Sequence, residues 1–97
     1  MRPGVRNTIN AARAAGVRLA IATTTSLPNV EALLRASFNG AADNLFEVIC
    51  AGDSVPAKKP APDIYLDALR YLDLPAEACL AVEDSRNGLL SAVRAGI

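Results

Sequence analysis

Three short stretches hold the side chains with chemistry to offer. Four consecutive hydroxyl residues stand at 23–26 in "ATTTS", Lys58 and Lys59 fall in "AKKPAPDIY", and Glu83 and Asp84 are adjacent in "CLAVEDSRNG". The chain contains no histidine. Ser-His or Cys-His nucleophilic machinery and histidine-based metal sites are therefore excluded, and acid–base or metal chemistry falls to carboxylates. Two carboxylates 4–5 Å apart repel by about 3–4 kcal/mol at an effective dielectric near 20, so something must offset the pair at 83–84 or separate it. A hard cation such as Mg²⁺ would do so, because it takes oxygen ligands and commonly only one or two protein carboxylates. The other solution is alternation: neighbouring residues of a strand face opposite sides, which would leave one carboxylate inward and the other in water.

The hydroxyl cluster allows two readings as well. Threonines leading into a helix suit a phosphate oxygen, since a helix N-terminus offers unpaired N–H groups and a favourable dipole. They equally suit plain helix capping by Thr25 or Ser26. Pro60 biases Lys59 towards an extended backbone and so limits where that side chain can point. A lysine so held could neutralise a phosphoryl group; a lysine on a surface loop is otherwise simply solvated. Taken together, hydroxyl donors, a cation and paired carboxylates are the parts needed to stabilise phosphoryl transfer. The nucleophile is missing from that set.

Elements that would position these residues follow from hydrophobic spacing. Val5, Ile9 and Ala12 recur at helical intervals and stop at Gly16, a C′ glycine. Residues 17–22, "VRLAIA", read as a buried strand, and Pro28 suits the first turn of a helix whose apolar face is Val30, Leu33, Leu34 and Phe38. Residues 46–52, "FEVICAG", form a second strand. Pro62 opens a third helix with Ile64, Tyr65, Ala68, Leu69 and Leu72 on one face. "CLAVE" at 79–83 reads as a third strand, and Ser85 caps a last helix carrying Leu89, Leu90 and Val93. Strand and helix alternate, which predicts an α/β fold: a parallel sheet with helices on its faces. Ligands in such sheets bind beyond the carboxyl ends of the strands, where the polar clusters fall.

Composition sets outer limits. The chain has 97 residues, of which 52% are hydrophobic, enough for one small domain with a modest core. Ten basic and ten acidic residues cancel, so no broad attraction to nucleic acid or to a membrane surface is expected. No apolar run approaches the ~20 residues of a helical membrane span. Cys50 and Cys79 both lie in apolar runs without a CxxC, which predicts buried free thiols in a reducing cytoplasm rather than a disulfide or zinc site.

The three strings, in this order, resemble the haloacid dehalogenase superfamily of phosphohydrolases, subfamily I. They lie near the sugar-phosphate phosphatases and β-phosphoglucomutases, and in particular the xylulose-bisphosphate phosphatase-like branch. "LAIATTTSLPNVEALL" looks like the family's second motif, "KKPAPDIY" like the third and "CLAVEDSRNGLLSAVRAG" like the fourth, so the resemblance spans essentially the whole chain. It implies Thr23 as the phosphate-binding hydroxyl, Thr24 as a backbone N–H donor and Lys59 as the motif lysine. It further implies Asp84 as a Mg²⁺ ligand, with Glu83 supporting the metal directly or through water. The substrate class would be a small phosphorylated sugar-like metabolite, cleaved through an aspartyl-phosphate.

One departure is large. The family's first motif is an apolar strand ending in Asp-x-Asp, and no Asp-x-Asp occurs in this sequence. Residues 1–97 are therefore expected to be an interior piece of a phosphatase core carrying motifs two to four, with no second domain. The expected fold is a partial Rossmann-like sheet lacking the first-motif strand and the cap, inactive on its own. "VICAG" should flank "LAIA" in parallel, with "CLAVE" either separated from them or collapsed against "LAIA". A receiver domain would place its acidic residues before the threonine and lysine, and a dinucleotide fold would need Gly-x-Gly-x-x-Gly after its first strand. A non-catalytic phosphate-binding or interaction module remains the alternative.

Overall fold

The structure is a computed structural model that describes residues 4–38, 45–52 and 55–97. The side chain of Phe38 and positions 53 and 54 of the proline-rich loop lie outside the described residues.

Helix α1 spans Val5–Ala14, and its half-buried residues are Val5, Ile9 and Ala12, as their spacing predicts. It stops in a Schellman motif, with Gly16 N–H bonded to Arg13 O at 3.0 Å and Val17 N–H to Ala12 O at 2.9 Å. Gly16 has φ +77°, a left-handed conformation that a side chain would resist. Strand β1 (Ala20–Ala22), helix α2 (Leu27–Phe38) and strand β2 (Val48–Cys50) follow. The two strands pair in parallel with Ala20 opposite Val48, Ile21 opposite Ile49 and Ala22 opposite Cys50. The paired segments are shorter than the apolar runs at 17–22 and 46–52, although Glu47 N–H still reaches Leu19 O at 2.8 Å.

Alternation along the strands divides the core. Ile21 and Ile49 pack against Val30 and Leu34 of α2. Ala22, Val48 and Cys50 belong to the opposite cluster, which contains Ile64, Tyr65 and Ala68 of helix α3 (Asp63–Leu72) and Ala92 of helix α4 (Arg86–Arg94). Helices thus cover both faces of a parallel sheet. Cys50 is buried here and its thiol is pushed up to about 11, first by burial and then by the neighbouring Asp67. Cys79, expected to be buried, is only half-buried; both thiols are free.

Three readings of the sequence need correction. Leu33 is 57% exposed, so the buried stripe of α2 among the described side chains is Val30 and Leu34. In α4 the expected apolar face of Leu89, Leu90 and Val93 is not the buried one: Leu89 and Val93 are exposed, while Gly88, Ser91 and Ala92 are buried. That helix packs so close to α3 and to the loop before it that only small side chains fit beneath it. Finally, residues 79–83 do not join the sheet, which has two strands among the described residues. The segment nevertheless keeps a strand's alternation. Cys79 is extended (φ −120°, ψ 152°), Ala81 and Glu83 turn inward, and Leu80 and Val82 are 91% and 79% exposed. Of the two expected outcomes, separation from "LAIA" is the one found.

The raised Cys50 thiol gives the pH dependence a definite sign. Its folded-state value exceeds the ordinary one, so its contribution to stability is complete below about pH 9 and is lost as pH rises towards about 11. Urea denaturation of a protein carrying these residues should show the wild type losing stability relative to Cys50→Ala across that window. Parallel pH curves for the two would contradict this.

Candidate active site

Lys59 is where the three motifs meet. Its ammonium donates to the Ala22 carbonyl at the end of β1 (3.1 Å) and to Glu83 Oε2 at 2.5 Å. The loop bearing Lys59 includes a cis Lys59–Pro60 peptide bond. It is tied to α4 at two successive carbonyls: the Ser91 hydroxyl donates to Ala61 O at 2.7 Å and the Arg94 guanidinium to Pro60 O at 3.2 Å. Ser91 is wholly buried. A polar residue on the buried face of α4 is accounted for by that carbonyl.

Glu83 is held from three sides. Its Oε2 accepts from Lys59 and from the Tyr65 hydroxyl, and the Lys59 ammonium lies 5.3 Å from the Tyr65 ring centroid. The remaining side is the first turn of α4, where a Cβ added to Gly88 would overlap Glu83 Oε1 and Cδ. The same turn is capped by Ser85, whose Oγ accepts from Gly88 N–H at 3.0 Å, as the sequence predicts. The side chains of Lys59 and Glu83 are only 11% and 10% exposed, so the pair is nearly desolvated. Removing one partner from such a pair typically costs about 3–5 kcal/mol, because the other charge is left uncompensated. Burial pushes the Tyr65 phenol well above its ordinary value, and the hydrogen bond to Glu83 and its charge add to the shift. Tyr65 therefore stays protonated and donates.

The hydroxyl cluster sits at the same end of the sheet. Thr23 extends the ladder through its N–H to Cys50 O at 3.0 Å, and its Oγ1 accepts from Thr25 N–H at 3.3 Å. Thr23 is half-buried and Thr24 exposed. Gly52 is pressed against this turn: its N–H donates to Thr25 O at 2.8 Å, and a Cβ there would overlap the Thr24 carbonyl. Asn29 Nδ2 reaches Thr25 Oγ1 at 3.4 Å, and Val30 N–H bonds Ser26 O at 3.1 Å to begin α2. Thr25 and Ser26 thus make the contacts to the start of α2, while the Thr23 side chain stays at the end of β1.

The adjacent carboxylates part company. Glu83 turns inward to Lys59 and Tyr65, whereas Asp84 is exposed, as alternation along an extended segment requires. No group of three or more Asp, Glu, Cys or His side chains placed to hold a metal occurs among the described residues. The donor chemistry fits a hard cation in one respect: Asp84, exposed and next in sequence to Glu83, is a carboxylate, a hard oxygen donor. Sequence reasoning missed Tyr65, Ser91, Arg94 and Gly88 as parts of this site. The available signals were a tyrosine hydroxyl on a buried helix face and a serine at a buried α4 position.

Among the described residues, the opposite end of the sheet carries an exposed ion pair instead. Arg18 there pairs with Glu47 through Nε and Nη2, one to each carboxylate oxygen, and Nη2 also donates to Leu72 O at 2.9 Å. Hydrogen bonding to Arg18 holds the exposed Glu47 carboxyl below its ordinary value.

The fold is a parallel α/β core that gathers Lys59, the inward carboxylate of Glu83 and a hydroxyl turn at the carboxyl end of β1. The chain belongs to the haloacid dehalogenase-like hydrolases, whose family profile matches residues 1–96. It is 59% identical over 97 residues to Protein CbbY of Cereibacter sphaeroides and 48% identical over 97 residues to the plasmid-borne Protein CbbY of Cupriavidus necator. In both cases the whole of this chain is covered, but it spans only 42% and 38% of the relatives' own lengths. Among solved structures, CbbY from Rhodobacter sphaeroides in complex with phosphate superposes with a TM-score of 0.94 at 59% identity. The match covers 99% of this chain and 43% of that one. A variant of the same protein, in complex with xylulose bisphosphate, superposes equally well.

Gly88 gives a test of the geometry whose sign runs against helix propensity. Glycine to alanine inside a helix ordinarily stabilises by about 1 kcal/mol. Here the added methyl must displace the Glu83 carboxylate, so Gly88→Ala should destabilise instead, by about 1–3 kcal/mol in urea denaturation. A stabilised variant would show that Glu83 does not rest on this turn.

Proposed function

We infer that residues 1–97 supply the phosphate-holding and charge-stabilising part of a Mg²⁺-dependent phosphatase acting on a small phosphorylated sugar, of the xylulose bisphosphate kind. The observation that carries this reading is the Lys59 ammonium, fixed between the Ala22 carbonyl and Glu83 Oε2 at the carboxyl end of β1. Two of its three donors are thereby aimed at protein acceptors, and the third is left for a phosphoryl oxygen. The Thr23 hydroxyl already accepts from Thr25 N–H, so its own proton is available to donate to the same phosphoryl group. Thr24 N–H adds a backbone donor at the turn. Preorganised donors of this kind stabilise the charge that develops as the bond to phosphorus breaks.

Asp84 is the carboxylate suited to hold Mg²⁺, since it follows Glu83 directly, is exposed and is chemically a hard oxygen donor. Glu83 holds the lysine through Oε2 and would support the metal directly or through water. When bound, the metal offsets phosphoryl negative charge. The attacking carboxylate, which would form the aspartyl-phosphate, comes from outside residues 1–97, because no Asp-x-Asp lies within them. The interior piece thus carries motifs two to four of one core domain. Two free thiols are compatible with a reducing, cytoplasmic setting.

The test is a chimera in which residues 1–97 replace the matching segment of the Cereibacter sphaeroides relative. It should release phosphate from xylulose bisphosphate in a Mg²⁺-dependent manner, while residues 1–97 alone should release none. Lys59→Ala and Asp84→Asn should each lower kcat by about 10²-fold or more, the scale of losing one preorganised charge-stabilising group. Unchanged turnover by Asp84→Asn at ordinary Mg²⁺ would remove Asp84 from the mechanism.

A further inference from the structure

Glu83 and Lys59 are both long side chains, and neither would be located accurately if each were held only by the other. Glu83 also projects from a segment, 79–83, that has no strand partner among the described residues. Its carboxylate must therefore be placed by what surrounds the side chain. Gly88 supplies a floor but no donor to it. Tyr65 supplies the donor. It stands on α3, a helix of ten residues whose buried face packs on both strands, and it is itself only 7% exposed.

We propose that Tyr65 is a positioning residue for the site, its hydroxyl fixing the Glu83 carboxylate that in turn holds the Lys59 ammonium. Two donors converge on the same oxygen, Oε2, one from a flexible lysine and one from a ring anchored in the core. The phenol fixes the carboxylate's last torsion, and the lysine follows the carboxylate. The ring contributes separately: its face lies 5.3 Å from the ammonium and its body fills the core cluster of Cys50, Ile64, Ala68 and Ala92. Phenylalanine would keep both of those contributions and remove only the hydroxyl. The proposal rests on the phosphoryl-handling reading above for its consequence in turnover, but not for its consequence in the position of Lys59.

The experiment uses the chimera with Tyr65→Phe and reads two quantities. One is the rate of acetylation of Lys59 by acetic anhydride, followed by mass spectrometry with Lys58 of the same loop as internal reference. The other is kcat and KM for xylulose bisphosphate. Parent protein should show Lys59 protected relative to Lys58. Tyr65→Phe should raise Lys59 modification and lower kcat, each by about tenfold, the scale of one hydrogen bond to a charged group. KM should move little. Equal Lys59 protection in the two proteins would overturn the proposal, whatever their turnover. Loss of protection in Tyr65→Phe, with a parent chimera that releases no phosphate, would uphold the positioning role while refuting the phosphatase reading.

Discussion

The ion pair between Lys59 and Glu83 joins parts of the chain that are far apart in sequence and otherwise arrive at the site independently. Through one ammonium it links the end of β1, the proline-rich loop and the segment preceding α4. Its cost is considerable, because both side chains are about nine-tenths removed from water. A buried pair of this kind often stabilises no better than apolar residues of the same volume. Its presence is better explained by placement of charge than by stability. The ammonium lies among acceptors at the strand ends, where a fold of this class receives its ligands.

Close approach of backbone makes the pair possible. Gly88 lets the Glu83 carboxylate lie on the first turn of α4, and Gly52 lets the end of β2 press on the turn after β1. Ser91 and Ala92 let α4 come near enough for hydrogen bonds to the carbonyls of Pro60 and Ala61 to be made from that helix. The absence of bulk at these positions is as specific as the presence of charge at 59 and 83. It also explains why larger apolar residues of α4, Leu89 and Val93, lie on the exposed side.

Much of this architecture is legible in the amino-acid sequence. The alternation of apolar runs with capped helices gave the parallel pair of strands and the helices on both faces, and the Gly16 and Ser85 caps fell where their residue types require. The rule that ligand sites gather at strand carboxyl ends predicts Thr23, Lys59 and Asp84 together. Lys59 does meet the end of β1, but the carboxylate it meets is Glu83, while Asp84 is exposed. What stayed hidden depends on tertiary contact. "CLAVE" has a strand's composition and its alternating exposure, but a strand is defined by a hydrogen-bonded neighbour, which local sequence cannot supply. The buried stripe of α4 is small rather than apolar, so hydrophobic periodicity selected the wrong face. Tyr65 looked like any core aromatic, because nothing in "PDIY" states where its hydroxyl ends.

The central claim is that Lys59 and Glu83 act as one unit, and a double-mutant cycle on chemical stability tests it most directly. Lys59→Met, Glu83→Gln and the combined variant would be compared with the parent chimera by urea denaturation. Each single change strands a nearly buried charge, and the second change should relieve it. The predicted coupling is at least about 1.5 kcal/mol, well above the ~0.3–0.5 kcal/mol scatter of independent sites. Additive single effects would contradict the account, because the two side chains would then be neighbours without dependence on each other.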